Sequence, residues 1–397
     1  MPSLLSIEEA LERVLARVQP LDAEPVPVGR AAGRFLAADA VAAVDLPPFA
    51  SSAMDGYAVR AADTPGRLPV VVRIAAGRPA ERPLAAGEAM AISTGAAVPE
   101  GADAVVPIEI VTEEDGTFVV PEAIRVGANV RPAGGDVRTG DLVLPAGTRL
   151  GAQHVGALVA SGLAEVAVAR RPRVVVLSTG TELRRPGEQL GPGQIYESNG
   201  PMLAAALAAA GAEVERVGPV EDDEAAHREA LEHGLAADVL VSSGGVSVGP
   251  HDLVRRILAE LGVAEDFWGV AVRPGKPLAF GTRDRTLVFG LPGNPVSALV
   301  STELFVRPAL HALQGAASPG PLYQRGQLTS PLPRKGSRDE LARAQLRETG
   351  DGVLLEPLSD QESHMIARAA RADALVLVPA GEGELAAGDL VRYLRIV

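Results

Sequence analysis

Between Asp238 and Asp252 the chain reads Asp-Val-Leu-Val-Ser-Ser-Gly-Gly-Val-Ser-Val-Gly-Pro-His-Asp. Glycines, hydroxyls and a carboxylate stand here between two apolar runs. Val239 to Val241 reads as a short buried strand, and Leu253 to Leu261 as the helix that follows. A Gly-Ser turn running into a helix leaves backbone N–H groups free, and phosphate oxygens can reach them because glycine has no Cβ. Gly244 and Gly245 alone would suit an ordinary turn. Ser242, Ser243 and Ser247 add hydroxyls, Gly249 keeps the loop open, and Asp252 puts an acid at the helix start. An acid beside a phosphate cradle repels the ligand unless a cation separates them, so metal-assisted phosphate chemistry is the first expectation.

Three other stretches carry chemistry. Arg273-Pro-Gly-Lys-Pro277 holds two cations between prolines, which limits the entropy lost when they meet an anion. Lys276 and Lys335 are the only lysines in an arginine-rich chain, so Lys276 marks a place for a compact ammonium. Leu291-Pro-Gly-Asn-Pro295 directly precedes a helical pattern, and Pro292, Asn294 and Pro295 would present helix N–H groups rigidly. Ser178-Thr-Gly-Thr-Glu182 is weak by itself, as are the turns Ser51 to Tyr57 and Ser93 to Pro99. The histidines lack metal-ligand spacing, and no Ser-His-Asp or HExxH arrangement is visible.

Composition narrows the field. A net charge of −13 argues against a nucleic-acid partner. With no cysteine there is no disulfide, thiolate metal site or thiol nucleophile. The N-terminal pattern is an amphipathic helix behind a Ser6-Ile-Glu-Glu9 capping box, with no signal peptide or membrane span, so a cytoplasmic protein is expected.

The elements that must position these residues fall into distinct textures. After the first helix and Pro20, a second short piece is expected over Ala31 to Ala43. Short Val/Ile runs separated by Gly/Pro turns fill Phe49 to Asp136 and predict a β-rich unit. From Arg171-Pro-Arg173 onward, strands alternate with helices, ending in a long helix near Val296 to Leu313. That alternation predicts a mostly parallel sheet with helices on both faces. The loops Ser178–Glu182, Ser242–Asp252 and Leu291–Pro295 all follow strands and should share one rim. Gly326 to Val397 has few helical patterns and suits a small β-barrel or sandwich.

Six motifs, in order along nearly the whole chain, resemble the molybdopterin molybdenumtransferases of the MoeA type, the family that includes the gephyrin E domain. They span residues 52–59, 93–106, 178–183, 242–252, 273–277 and 290–298. The resemblance implies an α/β plus β fold in a multidomain subunit. Residues 1–45 and 137–170 would form an elongated N-terminal domain in two segments, and 46–136 an inserted β-rich domain. Residues 171–316 would form a molybdopterin-binding α/β three-layer domain, and 317–397 a C-terminal β-barrel.

It further implies a homodimer whose clefts draw on both subunits, with an upstream molybdopterin adenylyltransferase as partner and neither nucleic acid nor membrane. The implied reaction inserts molybdate into adenylylated molybdopterin with release of AMP, assisted by Mg²⁺. The dithiolene sulfurs belong to the substrate, so a cysteine-free chain can handle molybdenum. By motif, Asp55, Glu182 and Asp252 would hold the cation or orient water, and Thr94 would line the same cleft. Ser242, Gly244, Gly245, Ser247 and Gly249 would hold the pterin phosphate, with Pro292, Asn294 and Pro295 beside them. Arg273 and Lys276 would attract molybdate, joined by Arg343 and Ser363 from the last domain. Arg273 stands where many relatives have Lys, and the last domain matches the family pattern only loosely. A non-catalytic molybdopterin-binding scaffold or carrier is the alternative, but it would have no use for the separated acids. A pterin or nucleotide phosphatase sharing the α/β domain would not need the two β-domains.

Overall fold

The computed structural model describes residues 4–221, 223–244 and 253–396. Helix α1 (Ile7–Ala16) starts at the Ser6 capping box, with Ser6 and Glu9 exchanging both cap hydrogen bonds. Strand β1 (Ala23–Pro27) follows. No helix forms over 31–43: Gly33 takes a φ of +81°, and the segment contributes only β-bridges and a two-residue strand. The inserted unit is a six-stranded sheet made of β2 (Gly56–Val59), β3 (Gly66–Ile74), β4 (Ala89–Ile92), β5 (Ala104–Pro107), β6 (Thr112–Glu114) and β7 (Thr117–Val120). Its spatial order is β5-β2-β4-β3-β7-β6. Tyr57 stacks on Phe118 in one of its two small cores. The chain then returns through α2 (Ala152–Ala160) to β8 (Glu165–Ala169), which pairs antiparallel with β1.

The α/β unit contains β9 (Arg173–Thr179), α3 (Asn199–Ala209), β10 (Glu213–Val220), α4 (Glu224–Gly234), β11 (Val239–Ser243) and α5 (Leu253–Glu260). It continues with β12 (Ala264–Trp268), β13 (Val272–Arg273), β14 (Ala279–Arg283), β15 (Thr286–Leu291), α6 (Pro295–Ser301) and α7 (Arg307–Leu313). The strands order as β10-β9-β11-β15-β14-β12. The first four run parallel; β14 pairs antiparallel with both β15 and β12, so it alone runs against the rest. Both faces are covered, as uninterrupted apolar strands such as Val174–Leu177 require. Val175, Leu177 and Leu240 pack with α4 and α5, whereas Val174, Val176, Val239 and Val241 face α3, α6 and α7. Helix α1 joins this second face through Ile7, Ala10 and Val14, although the sequence groups it with the elongated N-terminal part. Its apolar stripe finds a larger surface on the sheet than the small β1–β8 unit offers. The expected long helix near Val296 to Leu313 is one helical run of α6, a π-helical segment (Thr302–Val306) and α7.

The last unit comprises β16 (Gln324–Leu328), β17 (Asp339–Thr349), β18 (Gly352–Pro357), β19 (Ala374–Val378) and β20 (Leu390–Arg395). The order β17-β18-β16-β20-β19 closes on itself through β17–β19, making a barrel. The short β13 pairs parallel with β17 and attaches the barrel to the α/β unit. No described helix is long and apolar enough to cross a membrane.

His311 of α7 meets Phe35 at a ring-centroid distance of 5.4 Å, and its Nε2 is buried with no hydrogen-bond partner among the described residues. Burial, reinforced by Arg149 and Arg307, pushes its pKa down to about 4 from 6.5. Its contribution to stability is therefore complete above 6.5 and is lost as pH falls towards about 4. In that window stability should fall by up to ~1.4 kcal/mol per pH unit. His311→Leu should show a shallower fall in urea midpoint from pH 7 to pH 5 than the unsubstituted chain. Equal slopes would exclude His311 as the source.

Candidate functional site

The described parts of the three strand-end loops, only Ser242 to Gly244 in the second, share one rim. Together with the 195–199 connection and a loop from the barrel, they enclose a cavity of 560 Å³ whose wall includes Ser178, Glu182, Asn199, Ser243, Asn294 and His364. It opens at the carboxyl ends of β9, β11 and β15, where β9, first in sequence, lies between its two successors.

Asn199, at the start of α3, ties the loops together. Its Nδ2 donates to Ser243 Oγ and to the Gly293 carbonyl, each at 2.7 Å. Its Oδ1 is buried without a partner among the described residues. Glu197, only 8% exposed, accepts from Ser178 Oγ at 3.1 Å and from the Gly200 amide at 2.6 Å. That places a carboxylate at the positive end of α3. Neither residue stands out in the sequence: they lie in a Gly/Pro-rich connection without periodicity. The one available signal was the Ser198-Asn199 pair ahead of an apolar helix, an ordinary cap pattern.

Two glycines are required by this packing. At Gly244, with φ +95°, a Cβ would come within 3.1 Å of the Thr179 carbonyl. At Gly180 the φ of +146° is one that side-chain-bearing residues rarely adopt, and the Glu182 carboxylate folds back over this turn.

Strand alternation corrects one expectation. Ser243 faces the cavity, whereas Ser242 points to the opposite face of the sheet, lining a smaller space beside Val254 and Leu258 of α5. Its hydroxyl is buried with no partner among the described residues. A period of two makes adjacent serines diverge, so only one can serve the rim. Gly245, Ser247, Gly249 and Asp252 lie outside the described residues.

Pro295 occupies the first turn of α6 with Asn294 at its cap position. Asn294 Nδ2 donates not to its own helix but to Ser363 Oγ at 3.0 Å, and the Val296 amide donates to the Ser363 carbonyl at 3.2 Å. Pro292 is buried just before them. The barrel thus caps an α/β helix through Ser363.

Arg343 stands behind that cap rather than in the cavity wall. It is 2% exposed. Its guanidinium donates to Gln361 Oε1 and to the carbonyls of Asp360, Glu362 and Met365, at 3.0–3.4 Å. Burial lowers its pKa. Its donors are spent on the loop that presents Ser363 and His364.

Other expected residues stand apart from the cavity. Asp55 Oδ1 accepts from the Thr94 amide at 2.6 Å and its hydroxyl at 2.8 Å, and these bonds hold the Asp55 pKa below the ordinary carboxylate value. This exposed pair lies on the inserted sheet and does not line the cavity. Arg273 pairs with Glu340 in the β13–β17 register. Lys276 is exposed in the turn beyond it, where its carbonyl accepts from Val270 and Leu278. Among the described residues no Arg or Lys lines the cavity, and no three His, Cys, Asp or Glu side chains gather as a metal set.

Comparison with known proteins covers almost the whole chain. Residues 5–162 match the family described as MoeA N-terminal region (domain I and II). Residues 175–312 match the probable molybdopterin binding domain, and 325–396 the MoeA C-terminal region (domain IV). A molybdopterin molybdenumtransferase 2 of Mycobacterium tuberculosis is 39% identical over 376 residues, covering 91% of this chain and 92% of the relative. A molybdopterin molybdenumtransferase of Haemophilus influenzae is 35% identical, with 98% of each chain covered. The crystal structure of a molybdopterin biosynthesis MoeA protein from Pyrococcus horikosii superposes with a TM-score of 0.83 at 33% identity, covering 100% of both chains.

Because several carbonyls depend on one guanidinium, Arg343→Met should destabilise the protein by roughly 2–4 kcal/mol. It should also raise hydrogen exchange of the Val296 amide. Arg343→Lys should recover little, since a point charge cannot bridge separated carbonyls. An Arg343→Met variant with unchanged denaturation midpoint and Val296 protection would remove this role.

Proposed function

This chain belongs to the MoeA family of molybdopterin molybdenumtransferases, and from that premise we propose that it inserts molybdate into adenylylated molybdopterin, releasing AMP. The observation that carries the reading is the convergence of three strand-end loops and a barrel loop on one cavity, in a chain that matches the family from end to end. Glycines allow close approach of backbone to an anion. Asn199, Ser243 and Asn294 offer neutral polar groups to a pterin.

We place the Gly244-Gly245-Val-Ser247-Val-Gly249 loop at the pterin phosphate, with Ser243 in the role that the sequence suggested for Ser242. Arg273 and Lys276 are the anion-attracting pair for molybdate, which acts as substrate. Ser363 caps α6 beside the cavity, and Arg343 positions it. Asp55 and Thr94 are exposed and bonded to each other away from their own chain's cavity. The working unit is therefore a homodimer in which the inserted domain brings this pair to the cleft of the partner subunit.

Carboxylate oxygens are the donors that Mg²⁺ takes. Glu182 and Asp252 of one subunit with Asp55 of the other would hold it, where it neutralises charge at the phosphoanhydride. The substrate comes from a reaction that adenylylates molybdopterin, which makes the adenylyltransferase a natural partner. A cytoplasmic location suits both steps. The domain limits 1–45 with 137–170, 46–136, 171–316 and 317–397 complete the reading, with α1 packed onto the third.

The direct test is AMP release and cofactor formation from adenylylated molybdopterin, with and without molybdate and Mg²⁺. Asp252→Ala should fold and lose Mg²⁺-dependent AMP release. Asp55→Ala should do the same. Mixing the two inactive variants should restore on the order of a quarter of normal turnover, since half of randomly exchanged dimers are mixed and each has one intact cleft. No recovery despite demonstrated subunit exchange would put each site within a single chain.

Lys276→Ala should weaken molybdate use about 10- to 100-fold, the loss of one charge-assisted hydrogen bond of ~1.5–3 kcal/mol. Lys276→Arg should restore only part, because a guanidinium is wider than an ammonium. Titration of molybdate against AMP release decides it: an unchanged half-saturation removes Lys276 from the anion site.

A further inference from the structure

One end of the barrel holds a cavity of 280 Å³ that none of the roles above uses. Leu332, Ala342 and Val378 line it and also belong to the barrel core, so the cavity is the mouth of the barrel. On β17, Ala342 and Ala344 face that core, whereas Leu341 joins the core of the α/β unit. Alternation puts Glu340, two residues before Ala342, on the barrel side, where it lines the same cavity. Glu340 is only 6% exposed, and its Oε2 is buried with no hydrogen-bond partner among the described residues. It acts electrostatically on Arg343, but the Arg343 donors go to Gln361 and the loop carbonyls. A carboxylate withdrawn from water is costly unless N–H donors reach it. Lys335, one of only two lysines in the chain, lines the cavity as well. It is exposed and forms no ion pair among the described residues.

We propose that the barrel mouth binds a zwitterionic α-amino acid with an apolar side chain, its ammonium on Glu340 and its carboxylate on Lys335. A buried acid and an exposed ammonium on one cavity oppose each other's ligands. A simple cation is repelled by Lys335 and a simple anion by Glu340, whereas a ligand carrying both charges satisfies both. An ammonium brings three donors to a carboxylate, and charge-assisted bonds of this kind are the strong ones. Leu332, Val378 and the rings of Pro331 and Pro333 offer apolar surface to the side chain. At 280 Å³ the cavity lies just below the ~300–1,000 Å³ of typical small-molecule sites, which suits an amino acid and is small for a nucleotide or a pterin. Leu358, Ser359 and Gln361 complete the wall. They belong to the loop that Arg343 fixes and that caps α6 through Ser363. An occupant therefore packs against that loop from behind and stiffens the α6 cap. The site is separate from the molybdate reaction and does not depend on it.

Calorimetric titration of the full chain with L-leucine should show saturable binding of one molecule per chain. Leucinamide, which lacks the carboxylate, and N-acetyl-leucine, which lacks the ammonium, should each bind roughly tenfold more weakly, as expected for one lost charge-assisted bond. Glu340→Gln should weaken leucine binding by about the same factor. If that buried substitution disturbs folding, the exposed Lys335 decides: Lys335→Ala should also weaken leucine roughly tenfold, and Lys335→Arg should recover most of the loss. Leucinamide should bind the Lys335→Ala chain no more weakly than the unsubstituted one. Saturating leucine should slow hydrogen exchange of the Val296 amide, and unchanged exchange overturns the link to the α6 cap. The site itself is overturned by the absence of saturable heat at millimolar leucine, or by either analogue binding as tightly as leucine. A Lys335→Ala chain that binds leucine more tightly also overturns it, because Lys335 would then be the internal partner of Glu340.

Discussion

A guanidinium withdrawn from water has to find every partner inside the protein, and Arg343 finds them in one loop. That requirement fixes residues 358–365 against β17, and the fixed loop in turn caps α6 through Ser363. The cap reaches the rim because Asn294 and Gly293 belong to the same turn, and Gly293 is held by Asn199. One buried charge in the barrel thus sets the shape of a cavity in another unit. Removing a partner from such a network costs more than the net worth of any single bond, because the carbonyls left behind are already desolvated.

The fold was legible where a periodic pattern had only one satisfactory burial. Apolar runs alternating with amphipathic helices left no other home than a covered parallel sheet, and the rim loops followed from strand direction alone. The capping box at Ser6 was equally plain, since both of its bonds are local. What could not be read was docking. Nothing in Ile7-Glu-Glu-Ala-Leu-Glu says which apolar surface its stripe will meet, and α1 meets the α/β sheet. Nor does a sequence show that Ala31–Ala43 lacks a helix, because the deciding φ at Gly33 is set by packing.

The site divides along the same line. Glu182, Gly244 and Asn294 were recognisable as loop residues following strands. The choice between Ser242 and Ser243 depends on pleat register, which two adjacent identical residues cannot reveal. Glu197 and Asn199 have no motif of their own: a buried carboxylate at a helix start and a bridging amide resemble caps. Scarcity drew attention to Lys276, yet rarity says nothing about distance from a cavity wall, and Lys276 lies in an exposed turn beyond it.

The eleven-residue β17 has a mechanical consequence. Its beginning pairs with β13, its first half with β19 and its second half with β18. It is at once a stave of the barrel and the splice joining the barrel to the Arg273–Pro277 turn. A swing of the barrel as a rigid body would shear the Val272–Asp339 and Arg273–Glu340 register. The splice therefore couples the barrel to the cation-bearing turn, so that neither can shift without carrying the other.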